Sequence, residues 1–449
     1  MSHSWLFYDV ESSDLNPVFG QIMQYASIRV DDQWCEVDRT MFYVQLTHDR
    51  ILSPEAMLVH RIPVDYDGSS YNEAKGAEII HDQVNTPNTY NGGYNTLGYD
   101  DEVLRFTFYR NFLDPYSHGF RNGCQRFDLF PMVLLFYFYN STVIKWPKKS
   151  NGAPSFKLEH INEANNLATG QAHDALVDVS VCVELGRKLF SQSETWKEGL
   201  SALSQRYFPE KLHVMLDPRF DMQKRFGSVV WKLGDHVVYK NTSFWVRMDL
   251  IEFESIDDVK KTMVKKRAGD TRVVIALNES MADNSIVEKN KNWLESNQSS
   301  VDAYSRSLTT HMYSMVQNLD VDAGLYAHGP FSPSEQKGIQ MFKKEIERWE
   351  EIVKDQPPRL QKMMFRYIWR HHADLLGNQH DVSLLEDVLS VRFGVKDFRG
   401  RVRPSASQVL GRCEALIAQS SNAEDLALLS SLRRYIQLYC LGVADAVCV

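Results

Sequence analysis

Apolar and polar stretches alternate along the first 190 residues in a pattern that predicts a mixed α/β domain. The strand-like runs are at 5–10, 22–30 and 40–46, and the helix-like runs are at 100–112 and 173–190. The first strand-like run, "WLFYDVE", ends in Asp9 and Glu11. Two residues apart on an extended chain, these carboxylates project from one face about 6.6 Å apart. We therefore expect an arginine, a helix N-terminus or a divalent metal beside them.

The pattern changes twice beyond this domain. The polar segment 191–199 is interpreted as a domain boundary. Short segments with turn residues between them then predict a small β-barrel or β-sandwich-like domain. Those segments are 228–233, 235–240, 243–251 and 271–278. Beyond about residue 315 the pattern is helical, with a capping-box sequence from Ser332 to Glu335, a helix start at Pro357 and Pro358, and a last helix at 431–447.

Composition narrows the class of protein. A chain of 449 residues is too long for one core, so two or three domains are expected. Its apolar (43%) and charged (24%) fractions are those of a soluble globular protein. We expect a cytoplasmic location, because no apolar run reaches membrane-spanning length and "MSHSWLFYDV" lacks the features of a signal peptide. With a formal net charge of −8, nucleic-acid binding needs a locally basic surface.

The cysteines do not indicate a structural site. They are widely spaced and include no C-x-x-C pair, so neither a zinc site nor a disulfide framework is predicted. We expect reduced cysteines, mostly in cores. They are Cys35, Cys124, Cys182, Cys413, Cys440 and Cys448.

Two later segments carry further acids. Asp100 and Asp101 stand where a loop runs into a helix, a place where capping alone accounts for acidic residues. His173 stands at or just before another helix start, and Asp174 and Asp178 follow at i, i+4 spacing on one face. Asp174 is interpreted as a helix cap. Asp178 falls within the apolar stretch "ALVDVSVCV", where a carboxylate needs a partner.

Taken together, these residues match one known pattern. The order D-x-E, then Asn and Asp, then H-x-x-x-x-D resembles the DEDDh group of 3′→5′ exonucleases, whose fold is ribonuclease H-like. The residues between the motifs resemble bacterial exodeoxyribonuclease I in particular. This resemblance is strong to about residue 180 and weak across 200–315. The stretches that carry it are 24–31, 97–116, 144–167, 172–179, 322–332 and 363–376.

The resemblance implies a division of the chain and a set of catalytic residues. It implies an exonuclease domain at 1–192, an SH3-like β-rich domain at 200–315 and a C-terminal helical domain at 318–449, arranged around a single-strand channel. His173 would be the general base, and the family pattern read from Asn95 favours Asp100 over Asp101 as a ligand. The metal-binding carboxylates would be Asp9, Glu11, Asp100 and Asp178.

The chemistry suits those roles. Two hard cations about 4 Å apart can act on both the attacking and the leaving oxygen of a phosphodiester. Clustered carboxylates without a cysteine ligand favour two Mg²⁺ ions per active site, for which Mn²⁺ can substitute. A histidine with a pKa near 6.5 can accept the proton of the attacking water.

Single-strand binding needs basic groups for phosphates and aromatic rings for bases. By position in the resembling segments, the candidates are Glu11, Arg105, Tyr116, Phe120, Lys157 and Tyr326. A second candidate surface is a basic ridge on one helix face, interpreted either as a solvated face or as a docking site for DNA phosphates or an acidic peptide tail. In the family such a partner is single-stranded-DNA-binding protein. The ridge is Arg359, Lys362, Arg366 and Arg370, and 260–267 is an alternative basic surface.

The chain departs from the family pattern at several places. The Thr-Gly pair that commonly follows the glutamate is replaced by Ser12 and Ser13. Lys157 stands where an arginine is usual, which keeps the charge and loses the bidentate fork. Residues 131–143 lack the expected arginines, and the middle domain is shorter. These departures bear on substrate affinity and processivity more than on the chemistry.

The leading hypothesis is a monomeric, metal-dependent 3′→5′ exonuclease that degrades single-stranded DNA to 5′-mononucleotides. One alternative is an RNA-directed or proofreading exonuclease of the same group, because the contacts that separate RNA from DNA are not visible in the sequence. The other is a non-catalytic single-strand DNA-binding scaffold, which the altered residues after Glu11 suggest and the complete set of carboxylates opposes.

Overall fold

The computed structural model describes most of the chain. The described residues are 3–64, 66, 70–170, 174–205, 208–277, 284–312, 314, 316–317, 319–376 and 395–441. No helix within these residues is long and apolar enough to cross a membrane.

A mixed sheet organises the first part of the chain, as predicted. Its strands are β1 (Ser4–Ser12), β2 (Ile22–Val30), β3 (Glu36–Val44), β4 (Ser70–Tyr71), β5 (Thr89–Gly92) and β6 (Gln125–Arg126). Within the described residues their order is β4-β3-β2-β1-β5-β6. The β2 strand is antiparallel to β1 and β3, whereas β5 is parallel to β1. The acid-bearing strand β1 is therefore an inner strand.

Helices cover both faces of this sheet. They are α1 (Pro54–His60), α2 (Glu73–Val84), α3 (Asp100–Arg110), α4 (Leu129–Phe138), α5 (Leu158–Asn165), α6 (Ala175–Phe190) and α7 (Ser193–Ser204). Trp5 and Phe7 pack in one core with α4 and α6, whereas Leu6, Tyr8 and Val10 pack in another with α2 and α3. Because side chains alternate along a strand, the two acids of β1 continue the face that α6 covers.

The segment 191–199, interpreted as a domain boundary from its polar composition, also contributes to a core. Most of it belongs to α7, which carries Trp196 into the core of the first domain. The Trp196 ring meets the rings of Trp5 and Trp34 edge-on, with centroids 5.3 Å and 5.8 Å away. A single buried aromatic residue in a polar helix explains why composition alone does not reveal this contribution. The domain limits given above remain predictions.

An antiparallel sheet forms the middle region. Its strands are β7 (Leu212–Leu216), β8 (Gly227–Asp235), β9 (Thr242–Arg247), β10 (Met263–Arg267) and β11 (Val273–Ala276), in the order β10-β9-β8-β7-β11. Its helices are α8 (Ile256–Lys261), α9 (Ser285–Ser296) and α10 (Gln298–Thr309). The strand predicted at 235–240 is wrong, because the His236 ring accepts hydrogen bonds from the backbone of Val238 and Tyr239 and closes a turn. The SH3-like description remains a prediction.

Helices form the last part of the chain, as predicted. They are α11 (Leu325–His328), α12 (Pro333–Lys344), α13 (Trp349–Lys354), α14 (Pro358–His371), α15 (Ala406–Gln419) and α16 (Ala423–Tyr435). The predicted capping box of Ser332 and Glu335 is present at the start of α12. Short 3₁₀ turns lie at Thr96–Gly98, Ser117–Gly119, Arg121–Gly123, Met222–Lys224, Ile346–Arg348 and Ala373–Leu376, and a π-helical segment lies at Ile436–Leu441.

These C-terminal helices pack directly on the first domain. Phe106, Tyr109 and Phe112, on and just after α3, share a core with Phe342 of α12 and Met364 of α14. A second shared core joins α1 to α15 and α16. The described N-terminal and C-terminal regions are thus joined through apolar cores on both α3 and α1.

The predicted basic ridge is wrong for two of its four residues. The side chains of Arg366 and Arg370 are only 2% and 1% exposed, and Arg370 contacts Asp49 of the first domain. Spacing on a helix shows which residues share a face but not whether that face meets solvent. Arg359 pairs with Glu335 at 2.6 Å and is mostly buried, whereas Lys362 is exposed.

Buried acids neutralise these arginines. Arg370 Nη2 lies 2.6 Å from both Asp49 and Asp322, and Arg366 Nη1 lies 3.0 Å from Asp320 and 3.1 Å from Asp322. We refer to these charges together as the buried ion-pair network, which consists of Asp49, Arg50, Asp320, Asp322, Arg366 and Arg370.

Candidate active site

The end of β1 and the first turn of α6 form a group of three carboxylates. Asp9 and Glu11 come from β1 and Asp178 from α6, and one oxygen of each lies within 4.8 Å of the other two. We call these three residues the acidic cluster. The Asp174 carboxylate caps α6 by accepting hydrogen bonds from the backbone of Leu176 (2.9 Å) and Val177 (3.3 Å). The cap begins the helix one turn before Asp178, so that Asp178 meets β1.

Asp100 approaches the same strand from the start of α3. Its Oδ1 accepts a hydrogen bond of 3.3 Å from the backbone nitrogen of Val10, between the two acids of β1. Asp100 is buried and lies outside the 4.8 Å group. Of the residues predicted as metal ligands, the structure thus brings Asp9, Glu11 and Asp178 together and puts Asp100 beside their strand.

The neighbouring Asp101 has a different environment. Its carboxylate is fully buried and contacts His118 Nε2 at 2.7 Å, Arg126 Nη1 at 2.5 Å and Arg105 Nη2 at 3.0 Å. Burial alone would raise the pKa of Asp101. The charges of Arg105 and Arg126 and the hydrogen bond with His118 outweigh burial and hold this pKa well below its usual range. Asp101 is already neutralised by protein groups, whereas Asp100 faces the acidic cluster.

The acidic cluster is electrostatically unfavourable in the absence of a cation. Burial and the carboxylates of Asp178 and Asp174 raise the pKa of Asp9 to about 8. Burial and the carboxylates of Asp9, Asp178 and Asp174 raise the pKa of Glu11 to about 9. Burial and Asp9 also raise the pKa of Asp100 well above its usual value. Each carboxylate therefore resists ionisation of the others, and a bound cation would relieve that repulsion.

His173, predicted as the general base, lies outside the described residues. The described chain resumes at Asp174, whose side chain caps α6 as the sequence predicted.

Three of the predicted substrate-binding residues lie together. Arg105 Nη1 donates to the Tyr326 hydroxyl at 3.1 Å, and its guanidinium lies 5.4 Å from the centre of the Tyr116 ring. Arg105 is also paired with Asp101 and with Glu102, so its charge is largely compensated. This group joins α3 to α11 of the C-terminal helices.

Of the other three candidates, Glu11 belongs to the acidic cluster, whereas Phe120 and Lys157 are exposed. Phe120 is 63% exposed, between two 3₁₀ turns. Lys157 precedes α5 and pairs with Glu159 at 3.0 Å. In the alternative basic surface, Lys266 is buried beside Asp270, whereas Lys260 and Lys261 pair with acids of their own helix α8.

Sequence reasoning missed two residues that shape this site. Asp128 is fully buried and accepts hydrogen bonds from the backbone of Asn95 (2.7 Å) and Leu97 (3.1 Å), in the segment that leads to Asp100. Tyr99 joins the same segment to the end of β1 through its hydroxyl. An Asp before an apolar run is a capping signal, which is the role Asp128 also has for α4, but its contacts with a distant loop leave no local pattern.

Comparison with known proteins identifies relatives. No family model matches the chain. Exodeoxyribonuclease I of Haemophilus influenzae is 35% identical over 210 residues, which cover 46% of this chain and 43% of the relative. Exodeoxyribonuclease I of Escherichia coli is 34% identical over 186 residues, which cover 41% of this chain and 39% of the relative. The matched segments thus span less than half the length of these curated relatives.

Solved structures match over much more of the chain. The zinc-ion-bound form of the E. coli exonuclease I complex with single-stranded DNA has a TM-score of 0.84 at 23% identity, covering 97% of this chain and 99% of that one. An SSB/exonuclease I structure with an inhibitor has a TM-score of 0.81 at 24% identity, covering 98% and 100%. At this identity the likeness establishes the fold alone. The partial sequence match and the nearly complete fold match are thus both to proteins named exodeoxyribonuclease I or exonuclease I.

Proposed function

We propose that this protein is a metal-dependent 3′→5′ exonuclease that hydrolyses single-stranded DNA to 5′-mononucleotides. The observation that carries the proposal is the acidic cluster, in which carboxylates from β1 and α6 converge within 4.8 Å. Relatives named exodeoxyribonuclease I support the reaction class, and a fold neighbour bound to single-stranded DNA supports the substrate.

The carboxylates of the acidic cluster are suitable ligands for a divalent cation. They offer hard oxygen ligands, which Mg²⁺ and Mn²⁺ prefer. The raised pKa values of Asp9 and Glu11 reflect a concentration of negative charge that a cation would offset. We propose that the acidic cluster, with Asp100 beside it, holds two ions. When bound, a pair of divalent cations supplies positive charge to the attacking and leaving oxygens of a phosphodiester.

The protein's own residues supply orientation and proton transfer. The Asp174 cap fixes the start of α6, which sets the position of Asp178 against β1. We propose His173, next to that cap, as the general base that takes the proton of the attacking water. Removing it should lower the rate more than it lowers metal affinity.

The proposed path of the strand lies over aromatic and basic side chains. Phe120 offers an exposed ring on which a base can stack, and Tyr116 and Tyr326 both contact Arg105. Lys157 is exposed and can approach a phosphate. These contacts do not depend on base identity, which suits an enzyme that removes nucleotides one after another.

We also propose a partner, the single-stranded-DNA-binding protein, engaged through its acidic tail. An SSB/exonuclease I structure among the fold neighbours supports this choice. Since Arg366 and Arg370 are buried in ion pairs and Arg359 is mostly buried beside Glu335, Lys362 is the ridge residue that the tail could reach. The monomeric state and the cytoplasmic location remain predictions.

One assay tests the proposed function. DNA and RNA single strands labelled at the 5′ end are incubated with Mg²⁺, with and without chelator, using wild-type protein, Asp9→Asn and a matched control, Asp32→Asn, in the exposed turn between β2 and β3. Stepwise shortening of DNA that chelator and Asp9→Asn abolish, and that Asp32→Asn leaves unchanged, is expected. Shortening of RNA instead would favour an RNA-directed enzyme, and binding without shortening would favour a scaffold.

A further inference from the structure

The segment between β5 and α3 delivers Asp100 to the site and is held closely against β1. At Gly93, directly after β5, a Cβ atom would lie 2.5 Å from the Tyr8 carbonyl oxygen, so only glycine fits this approach. The buried Asp128 carboxylate then holds the backbone of Asn95 and Leu97. This part of the segment is thus fixed to the sheet and to the start of α4.

The end of β1 is less regular. The pairing of β1 with β2 shifts register between Glu11 and Ser12, where an irregularity interrupts the ladder before Ser12 pairs with Ile22. Beyond that point the backbone nitrogen of Ser13 donates to the Gln21 carbonyl oxygen, and the backbone nitrogen of Gln21 donates to the Ser13 hydroxyl, each at 2.9 Å. Glu11 therefore stands at the last regular position of the strand, and its place depends on what holds Ser12 to Asp14.

Tyr99 supplies that contact. Its hydroxyl donates to the carbonyl oxygen of Asp14 and accepts from the Ser12 hydroxyl, whose oxygen also lies 3.0 Å from the Asp14 carbonyl oxygen. Ser12 is only 5% exposed, so water does not compete freely for these bonds. Tyr99 directly precedes Asp100, and Ser12 directly follows Glu11. One hydroxyl thus connects the two segments that carry acids of the site.

We propose that Tyr99 is a positioning residue that ties the end of β1 to the start of α3 and so sets the distance between Glu11 and Asp100. This inference rests on the proposed metal-dependent function. The acids of the site repel one another, and an uncharged tether opposes that repulsion without adding a cation that would compete with a metal.

The test compares Mn²⁺ affinity, measured by titration calorimetry, with the melting temperature of the metal-free protein. Tyr99→Phe removes the hydroxyl alone and is expected to weaken Mn²⁺ binding about tenfold, as is usual for groups that orient metal ligands. The Mn²⁺ concentration that supports half-maximal shortening of single-stranded DNA should rise by the same factor. Tyr109→Phe, on α3, is the matched control, because its buried hydroxyl has no hydrogen-bond partner among the described residues.

Ser12→Ala gives a second, independent variant. It removes the partner hydroxyl, so it should weaken Mn²⁺ binding to a similar extent, and the double variant should be little worse than either single one. Should Tyr99→Phe fail to fold, Ser12→Ala decides the question. Wild-type Mn²⁺ affinity in the folded variant overturns the inference, whatever the change in melting temperature. A loss of affinity as large in Tyr109→Phe also overturns it.

Failure of the proposed function gives a different result. If Asp9→Asn binds Mn²⁺ and shortens DNA as the wild type does, the acidic cluster is not the metal site and both ideas fail. If Asp9→Asn abolishes both but Tyr99→Phe retains wild-type affinity, only the role of Tyr99 is wrong.

Discussion

Two groups of buried or partly buried acids in this protein have opposite surroundings. In the buried ion-pair network, each acid lies within 3.7 Å of an arginine. In the acidic cluster, burial affects the pKa values of Asp9 and Glu11 most, and the neighbouring charges that add to it are those of other acids. The network joins α14 to the first domain, whereas the cluster stands where a strand end meets a helix start.

The pKa shifts follow this difference. Burial alone raises the pKa of any carboxyl group. In the network, Arg370 and Arg50 overcome that effect and hold the pKa of Asp49 well below its usual value. In the cluster the pKa of Asp9 rises to about 8. Acids that the protein neutralises with its own arginines stabilise the fold, whereas Asp9 and Glu11, whose neighbouring charges are acidic, are candidates to bind a cation.

The largest expected effect is on activity. Asp9→Asn removes a charged ligand from the centre of the acidic cluster and should lower the rate of single-stranded DNA shortening by about a thousandfold or more, or ~4 kcal/mol. The free energy of unfolding of the metal-free protein should not decrease, since the substitution removes a carboxyl group whose ionisation burial and the neighbouring acids oppose. Rate measurements check the expected loss of activity, and denaturant unfolding checks the expected stability. Unimpaired activity, or a large loss of stability, would contradict the comparison.

The ion-pair network should show the opposite outcome. Arg370→Ala leaves Asp49 and Asp322 buried with less compensation, which should cost about 3 kcal/mol or more in the free energy of unfolding. Denaturant unfolding measures this loss. The control is Arg39→Ala on β3, where the pair with Glu36 is exposed and is expected to contribute less than about 1 kcal/mol. Equal effects of the two substitutions would show that the network does not hold α14 in place.

Asp100 and Asp101 are adjacent in sequence but belong to the two different kinds of surroundings, so substitutions of the two can be compared directly. Asp101→Asn weakens three contacts with His118, Arg105 and Arg126 and should destabilise the protein by about 2 kcal/mol. Asp100→Asn should instead reduce Mg²⁺-dependent shortening at unchanged stability. Urea unfolding and the shortening rate, measured on both variants, separate the two roles. A rate loss in Asp101→Asn as large as that in Asp100→Asn, with no loss of stability, would reverse the assignment.

Much of the fold could be predicted from local patterns. The run 5–10 and the helices at 100–112 and 173–190 correspond to β1, α3 and α6 within a few residues. The predictions that failed depended on tertiary context. Arg366 is buried because its helix face meets protein and not solvent. At His236, a turn closed by hydrogen bonds to the imidazole ring stands where a strand was predicted. Neither has a signature within its own segment.

The candidate site was predictable to a similar degree. Spacing put Asp9 and Glu11 on one face, and the apolar neighbours of Asp178 marked it as needing a partner. The choice between Asp100 and Asp101 required the surroundings of Asp101, which come from Arg126 and His118 farther along the chain. Tyr99 was not predicted, because its partners lie 85 and 87 residues away.

The smallest expected effect is a pH dependence that differs between the two groups. The usual pKa values of Asp9 and Glu11, 3.8 and 4.5, rise to about 8 and about 9 in the metal-free fold. Between about pH 4 and pH 9 the folded state therefore binds protons that the unfolded chain has released, so its stability falls as pH rises. The network acids Asp49 and Asp322 have lowered pKa values, so their contribution is lost only as pH falls below about 4.

A bound divalent metal should remove the contribution of the acidic cluster to the pH dependence of stability. Because binding requires ionised carboxylates, Mn²⁺ should raise the melting temperature more at pH 8 than at pH 6, by at least ~2 °C. Asp9→Asn should both flatten the metal-free slope between these pH values and lose the Mn²⁺ effect, whereas Arg39→Ala should retain both. Melting curves at the two pH values, with Mn²⁺ and with chelator, measure all four quantities. An equal Mn²⁺ shift at both pH values in the wild type would mean that the cluster is already ionised without metal, and its contrast with the ion-pair network would then be one of position and not of charge.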